Sequence, residues 1–320
     1  MAYRKKETEN MAKEEQASQT SHDQNFKNLI LDYPRAALEF FAGAEAEGID
    51  ENTRIIPIRQ EQLKERLGER FHELDTPLLA EWPDGRRKAV VFNFEQESSV
   101  ARFSIHRLGH YCLSLAEFFR TDRIVPVVIF LHSGKYPKEL KIGGDHGTCL
   151  SFRFIACDLR KIPAEKHMES TNIVARLNLP NMKCRKQDRI AVYAQAQEGL
   201  VTLEPGIEKR LKYADFIDCY ANLDEKGLQE YREKYLSESG HKEEIMGLMK
   251  MMREEGIQIG ISQGELSLLK RQIVRRFRQI PAWAQSRMEK ADRKDLEIWA
   301  DRILDAASVE EVFGIRKTEQ

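Results

Sequence analysis

Phe26, Leu29, Ile30 and Tyr33 recur at helical spacing, and Asp23 stands where a short carboxylate caps the first turn. Pro34 bends or restarts that helix, after which Ala37, Leu38 and Phe41 continue an apolar face. From about Phe71 the period changes. HELDTPLLAEW, the turn PDG and RKAVVFNFEQES form two extended runs joined by Asp84-Gly85, a pair that supplies hairpin dihedrals. Alternation in the second run puts Val91, Asn93, Glu95 and Glu97 on one face, and Val90, Phe92, Phe94 and Gln96 on the other. Ala101, Ile105, Leu108, Cys112, Leu115 and Phe119 then step by four and three, the stripe of an amphipathic helix that packs on the sheet. IVPVVIFL at 124–131 is continuously apolar and β-branched, as a strand covered on both faces requires, and SFRFIACDL at 151–159 is expected as a further strand.

Beyond about Glu165 strand runs give way to helical periodicity. Lys242 to Gly264 is a charged, Met-rich helix with Gly256, Gly260 and Gly264 at intervals of four. With charged neighbours, this ladder marks a close helix crossing or a weak hinge in water, not a membrane contact. Leu268, Leu269, Ile273, Phe277, Pro281 and Trp283 then open a compact helical pattern. The expected organisation is a flexible tail at 1–21, an α/β core at 22–164, a helical extension at 165–263 and a small helical domain at 264–314.

Composition narrows the function classes. The chain has 320 residues, 51 basic and 52 acidic, for a formal charge of -1, so any nucleic-acid surface must be local. No apolar window approaches bilayer length, and MAYRKKETEN leads into charge instead of a signal core, so a soluble, cytoplasmic protein without membrane partners is expected. Five scattered cysteines without a CxxC pair fit reduced thiols better than a disulfide framework or a zinc site. Walker A loops, nucleophile elbows and dinucleotide fingerprints are absent from the sequence. His132, Asp145 and His146 flank the Gly-rich turn GGDHG, which reads as a loop more readily than as a metal site. The basic run from Lys270 to Arg278 reads as a charged helix face.

The chemistry concentrates on Asp75, Glu95 and Glu97. Glu95 and Glu97 share a strand face, and Asp75 lies twenty residues earlier on the hairpin partner. Hard divalent cations such as Mg2+ take one or two carboxylates plus water and phosphate, and a cation relieves the repulsion of clustered acids. The bland alternative is a turn carboxylate and a solvent-facing hairpin edge. On the following helix Arg102, His106 and His110 recur at intervals of four, with Arg107 close to their face. Such cations suit a phosphodiester backbone, or equally an ordinary solvated helix.

HDQNFKNLI at 22–30, LDTPL at 74–78, FEQESS at 94–99, the helix carrying Arg102, Arg107 and Tyr111, and VPVVIFLHSG at 125–134 together resemble the Rpn family of recombination-promoting nucleases and putative transposases, within the PD-(D/E)xK superfamily. GELSLLKRQIVRRFRQIP and DLEIWADRILDAASVEEVFG resemble a small helical domain often appended to such proteins. The resemblance implies a restriction-endonuclease-like core, a mixed sheet with flanking helices, followed by an α-helical C-terminal region. It also implies Mg2+-dependent DNA endonuclease activity, with Asp75 and Glu95 as metal ligands and the third motif position on Glu97. Lys or Gln usually stands at that third position. A glutamate there could bind metal or accept a proton, or mark a degenerate fold retained for DNA binding or protein interaction. Lys88 is a candidate spatial substitute, although alternation puts it opposite Glu95. Arg102, Arg107 and Tyr111 match family positions for DNA contact, His110 stands where arginine is common, and Asp23 matches the family's HD. The C-terminal helices are candidates for self-association.

Overall fold

The computed structural model describes residues 24–58, 76–95, 103–132 and 134–315, with the backbone alone described for Arg87–Glu95 and Ile259. The fold is mixed α/β and more helix than strand. It divides into two compact units, 1–245 and 246–320.

In the first unit, helix α1 (24–32) buries Phe26, Leu29 and Ile30, the stripe its spacing implied. Pro34 restarts the chain as α2 (Pro34–Ala37), which passes into a π-helical turn, Leu38–Ala42, and ends at Gly43 with φ 55°. Five strands follow in the main sheet: β1 (Arg54–Pro57), β2 (Thr76–Glu81), β3 (Arg87–Glu95), β4 (Ile124–Phe130) and β7 (Ile155–Asp158). Their order is β1-β2-β3-β4-β7, antiparallel as far as β3 and parallel from β3 to β4 to β7. The β2–β3 hairpin turns at Asp84-Gly85, where Gly85 has φ 81° and Trp82 N–H donates to the Arg86 carbonyl. β1 has no counterpart in the sequence reading, because a four-residue edge strand is too short to establish a period.

Between β3 and β4 runs α3 (Ile105–Phe119). Ser104 accepts from Arg107 N and caps it, so the helix begins later than the apolar stripe at Ala101 implied. Leu115, Tyr111 and Phe119 pack with Leu79, while Ile105, Leu108 and Cys112 pack with Val128 and Phe130. On the same strand Val127 and Ile129 are also fully buried, so β4 is covered on both faces, as its uninterrupted apolar run required.

Residues 151–159 are not one strand. β5 (Glu139–Gly144) and β6 (Gly147–Arg153) form a separate hairpin, and the chain then leaves it to lie parallel to β4 as β7. The GGDHG segment is the turn of that hairpin. Gly143 sits at its bulge, where a Cβ would collide with the Gly147 carbonyl, so no larger residue fits without a backbone shift.

Helices α4 (Ile173–Leu177), α5 (Arg189–Leu203), α6 (Ile207–Ala221) and α7 (Glu225–Tyr231) complete the first unit around Tyr193, Leu200, Tyr213 and Ile217. The long α8 (Lys242–Phe277) runs without interruption through 263 and 264, where the sequence suggested a domain boundary. Its glycines at 256, 260 and 264 cross no helix among the described residues: nothing lies within 4 Å of where a Cβ would stand. In the second unit the end of α8, α9 (Ala282–Glu289), α10 (Arg293–Arg302) and α11 (Val309–Val312) close over Leu269, Ile273, Met288, Trp299 and Phe313. Trp283 is 38% exposed and Leu268 48%, so these two members of the expected compact pattern lie outside that core.

Candidate functional site

Three parallel strands finish side by side. Glu95 closes β3 opposite Phe130 of β4, and Phe130 lies opposite Asp158, the last residue of β7. In open α/β sheets the crevice beyond the carboxyl ends of parallel strands is where ligands bind, because successive loops diverge there. β2 runs the other way, and its first residue, Thr76, pairs with Phe92. The antiparallel strand therefore enters the sheet near where β3 leaves it.

A cavity of about 530 Å³ opens along β7, the outer strand of the sheet, lined by Phe40 and Phe41 of the π turn, Gly43, Tyr136, Ile155, Ala156, Cys157, Asp158 and Lys161. The Tyr136 ring stacks on Phe130 at 4.2 Å and 9°. Asp158 is 6% exposed, and its Oδ2 lies 2.6 Å from Lys161 Nζ, three residues on in the turn after β7. The hydrogen bond to Asp158 and its charge raise the Lys161 pKa, so the ammonium is held charged at the rim. Burial, reinforced by the Asp158 carboxylate, pushes the Cys157 thiol up to about 12, which leaves it a neutral wall group.

The sequence candidates distribute unevenly. Asp75, Glu97, Arg102 and Asp23 lie outside the described residues. Glu95 ends β3 among the strand ends just described, and Lys88 lies near the start of the same strand, opposite Ala80. Arg107 and His110 are exposed on the outer side of α3, as is His106. Tyr111, expected among the DNA-contacting residues, is instead 6% exposed and packed with Leu79, Leu115 and Phe119. It lies three residues from Leu108 and four from Leu115, inside the apolar stripe, and that spacing directs it to the core. Asp145 and His146 are exposed at the hairpin turn, and no group of three His, Cys, Asp or Glu able to hold a metal occurs among the described residues.

Asp158 and Lys161 were not singled out from the sequence. The available signal was a carboxylate ending an apolar strand run, IACD, with Arg160 and Lys161 just beyond Leu159. Comparison with family models, with curated proteins and with solved structures returns no match to this chain.

Proposed function

We propose that the protein is a metal-dependent DNA endonuclease of the Rpn type, built on a restriction-endonuclease-like core. The carrying observation is the meeting of strand ends at one sheet edge. β3 stops at Glu95 beside the carboxyl ends of β4 and β7, and β2 begins opposite Phe92, with Asp75 directly before it in the chain. An antiparallel hairpin, a crossover helix and a parallel strand in that order support the same reading.

Carboxylates are the donors a hard cation takes, so Asp75, Glu95 and Glu97 suit Mg2+ as a donor set, and the three would hold it. When bound, such an ion lowers the pKa of a water and neutralises charge on a phosphate. The chain's own groups supply positioning. Arg107 and His110 are exposed on α3, where a phosphodiester backbone would meet them, and Lys161, paired with Asp158 at 2.6 Å, stands at the cavity rim. Plasmid nicking in Mg2+ tests the assignment: Asp75→Ala and Glu95→Ala should each lose cleavage, and equal nicking by parent and both variants rejects it.

One feature favours a second reading, a degenerate nuclease fold kept for DNA binding or protein interaction. Glu97 stands where Lys or Gln is usual, and a third carboxylate cannot offer the attacking water the positive charge or the hydrogen-bond donor that those side chains carry. Self-association through the C-terminal helices goes with that reading, and the solvent-exposed Ile257 and Ile261 of α8 are where it would be sought. DNA retention without Mg2+-dependent cleavage distinguishes it.

A further inference from the structure

The chain leaving the candidate site carries a net positive charge. From Asp158 to Arg189 there are eight basic and four acidic residues, against -1 for the whole protein. Two of those four acids are already engaged: Asp158 with Lys161 at 2.6 Å, and Asp188 with Arg185 at 2.6 Å.

The fold concentrates the remaining cations. Lys183 N–H donates to the Ile162 carbonyl at 2.8 Å, and Ala164 N–H to the Lys183 carbonyl at 3.0 Å. These bonds pin the 160–164 turn against 183–186, although the two stretches lie far apart in the chain. Arg189, at the start of α5, is anchored by a 2.7 Å bond from its guanidinium to the Ala221 carbonyl at the end of α6. A cavity of about 300 Å³ results, with Arg160, Lys186 and Arg189 around Cys184 and Tyr220. No carboxylate lines it among the described residues. Arg160, Lys183 and Lys186 are exposed and have no ion-pair partner among the described residues. Burial, with a smaller contribution from Asp188, raises the Cys184 thiol while Arg189 and Arg160 pull it back, so both guanidiniums lie near the cavity wall.

Arg160 and Lys161 are consecutive, yet they line different cavities: Lys161 the one at the strand ends, Arg160 the basic one. A polyanion held at Arg160 would also face Lys186 and Arg189, which line the same cavity. A single small anion would use one of these positions; a row of them matches a repeating phosphate.

We propose that the basic cavity and the row Arg160, Lys183, Lys186 and Arg189 form a second nucleic-acid contact surface, holding the phosphodiester backbone on one side of the candidate cleavage edge. It rests on the reading of that edge as a nuclease site, but its test does not require cleavage. Binding of a fluorescein-labelled duplex of about 20 base pairs is followed by anisotropy in EDTA, using the full chain, across a salt series. Arg160→Glu with Lys186→Glu should weaken binding at least tenfold and lower the slope of log K against log salt by about 2, one for each phosphate no longer neutralised. Lys226→Glu with Lys294→Glu, two exposed lysines at the starts of α7 and α10, should change affinity less than twofold. Inorganic phosphate should compete no better than chloride at equal ionic strength. Unchanged affinity and slope in a folded Arg160/Lys186 variant overturns the proposal. So does an equal loss in the control pair, specific displacement by free phosphate, or a parent that does not bind DNA. Failure of the nuclease reading shows differently, as DNA binding that persists while Mg2+-dependent nicking is absent from the parent or unaffected by Asp75→Ala.

Discussion

Asp32 accepts two hydrogen bonds of 2.6 Å, from the Tyr213 hydroxyl and from the Lys212 ammonium, and so joins α1 to α6 across 181 positions of chain. Burial alone would raise the Asp32 pKa, but the bonds from Lys212 and Tyr213 outweigh it and hold the carboxyl below its usual range. A folded pKa below the unfolded one stabilises above the unfolded value of about 4 and is lost as pH falls through the folded value. Asp32→Asn should therefore cost about 1–2 kcal/mol at pH 7, and the gap to the parent should close as pH falls below the ordinary carboxylate range. Urea unfolding at several pH values measures this, and a gap independent of pH would contradict it.

On α3 the two sides of the helix should respond oppositely. Leu115→Ala empties a fully buried position and should cost about 2–5 kcal/mol in a denaturant titration. Tyr111→Phe keeps the buried ring and should leave DNA retention unchanged, because that side chain faces Leu79 and not solvent.

Arg107→Ala removes an exposed cation from the same helix, one turn before Tyr111. It should weaken DNA binding by about tenfold or less, with a smaller salt slope. A loss of stability equal to the loss of binding would assign Arg107 to the fold instead.

Thiol reactivity should follow burial. Cys149 is exposed and should react with a disulfide reagent within minutes at pH 8, whereas Cys112 and Cys157 are buried and should react only after unfolding. For Cys157 the barrier is electrostatic as well as steric, its thiol being raised to about 12 by burial and by Asp158. Rapid labelling of Cys157 in the native protein would mean that the strand-end cavity opens to solvent.

Glycines in two helices should behave in opposite directions. In α5 a Cβ on Gly199 would run into the Arg176 side chain, whose guanidinium bonds the Gln195 carbonyl, so Gly199→Ala should destabilise by about 1–3 kcal/mol. In α8 nothing lies within 4 Å of a Cβ on Gly260, so Gly260→Ala should stabilise by roughly 0.5–1 kcal/mol through helix propensity. Thermal melts of the two variants compare them directly. A Gly260→Ala variant that loses self-association would mark that face as an interface between copies.

Elements with a strong local signature were legible from neighbouring residues. Asp84-Gly85 announced the β2–β3 hairpin, the four-and-three stripe announced α3, and the β-branched run announced β4, because turn dihedrals and burial periods are written in neighbouring residues. Glu95 was legible as a candidate for the same reason, standing on a clear strand beside a recognisable turn. Features that depend on non-local pairing emerged only with the folded chain. SFRFIACDL shows one apolar run, but Arg153 pairs with Glu139 in one sheet while Ile155 pairs with Val127 in another. Tyr111 could serve surface or core until α3 met Leu79. Asp158 became part of the strand-end cavity only through its register opposite Phe130, and Arg160 came beside Lys186 only through the bonds at Lys183. Periodicity records which side of an element is buried; it carries no record of which distant segment will lie against that side.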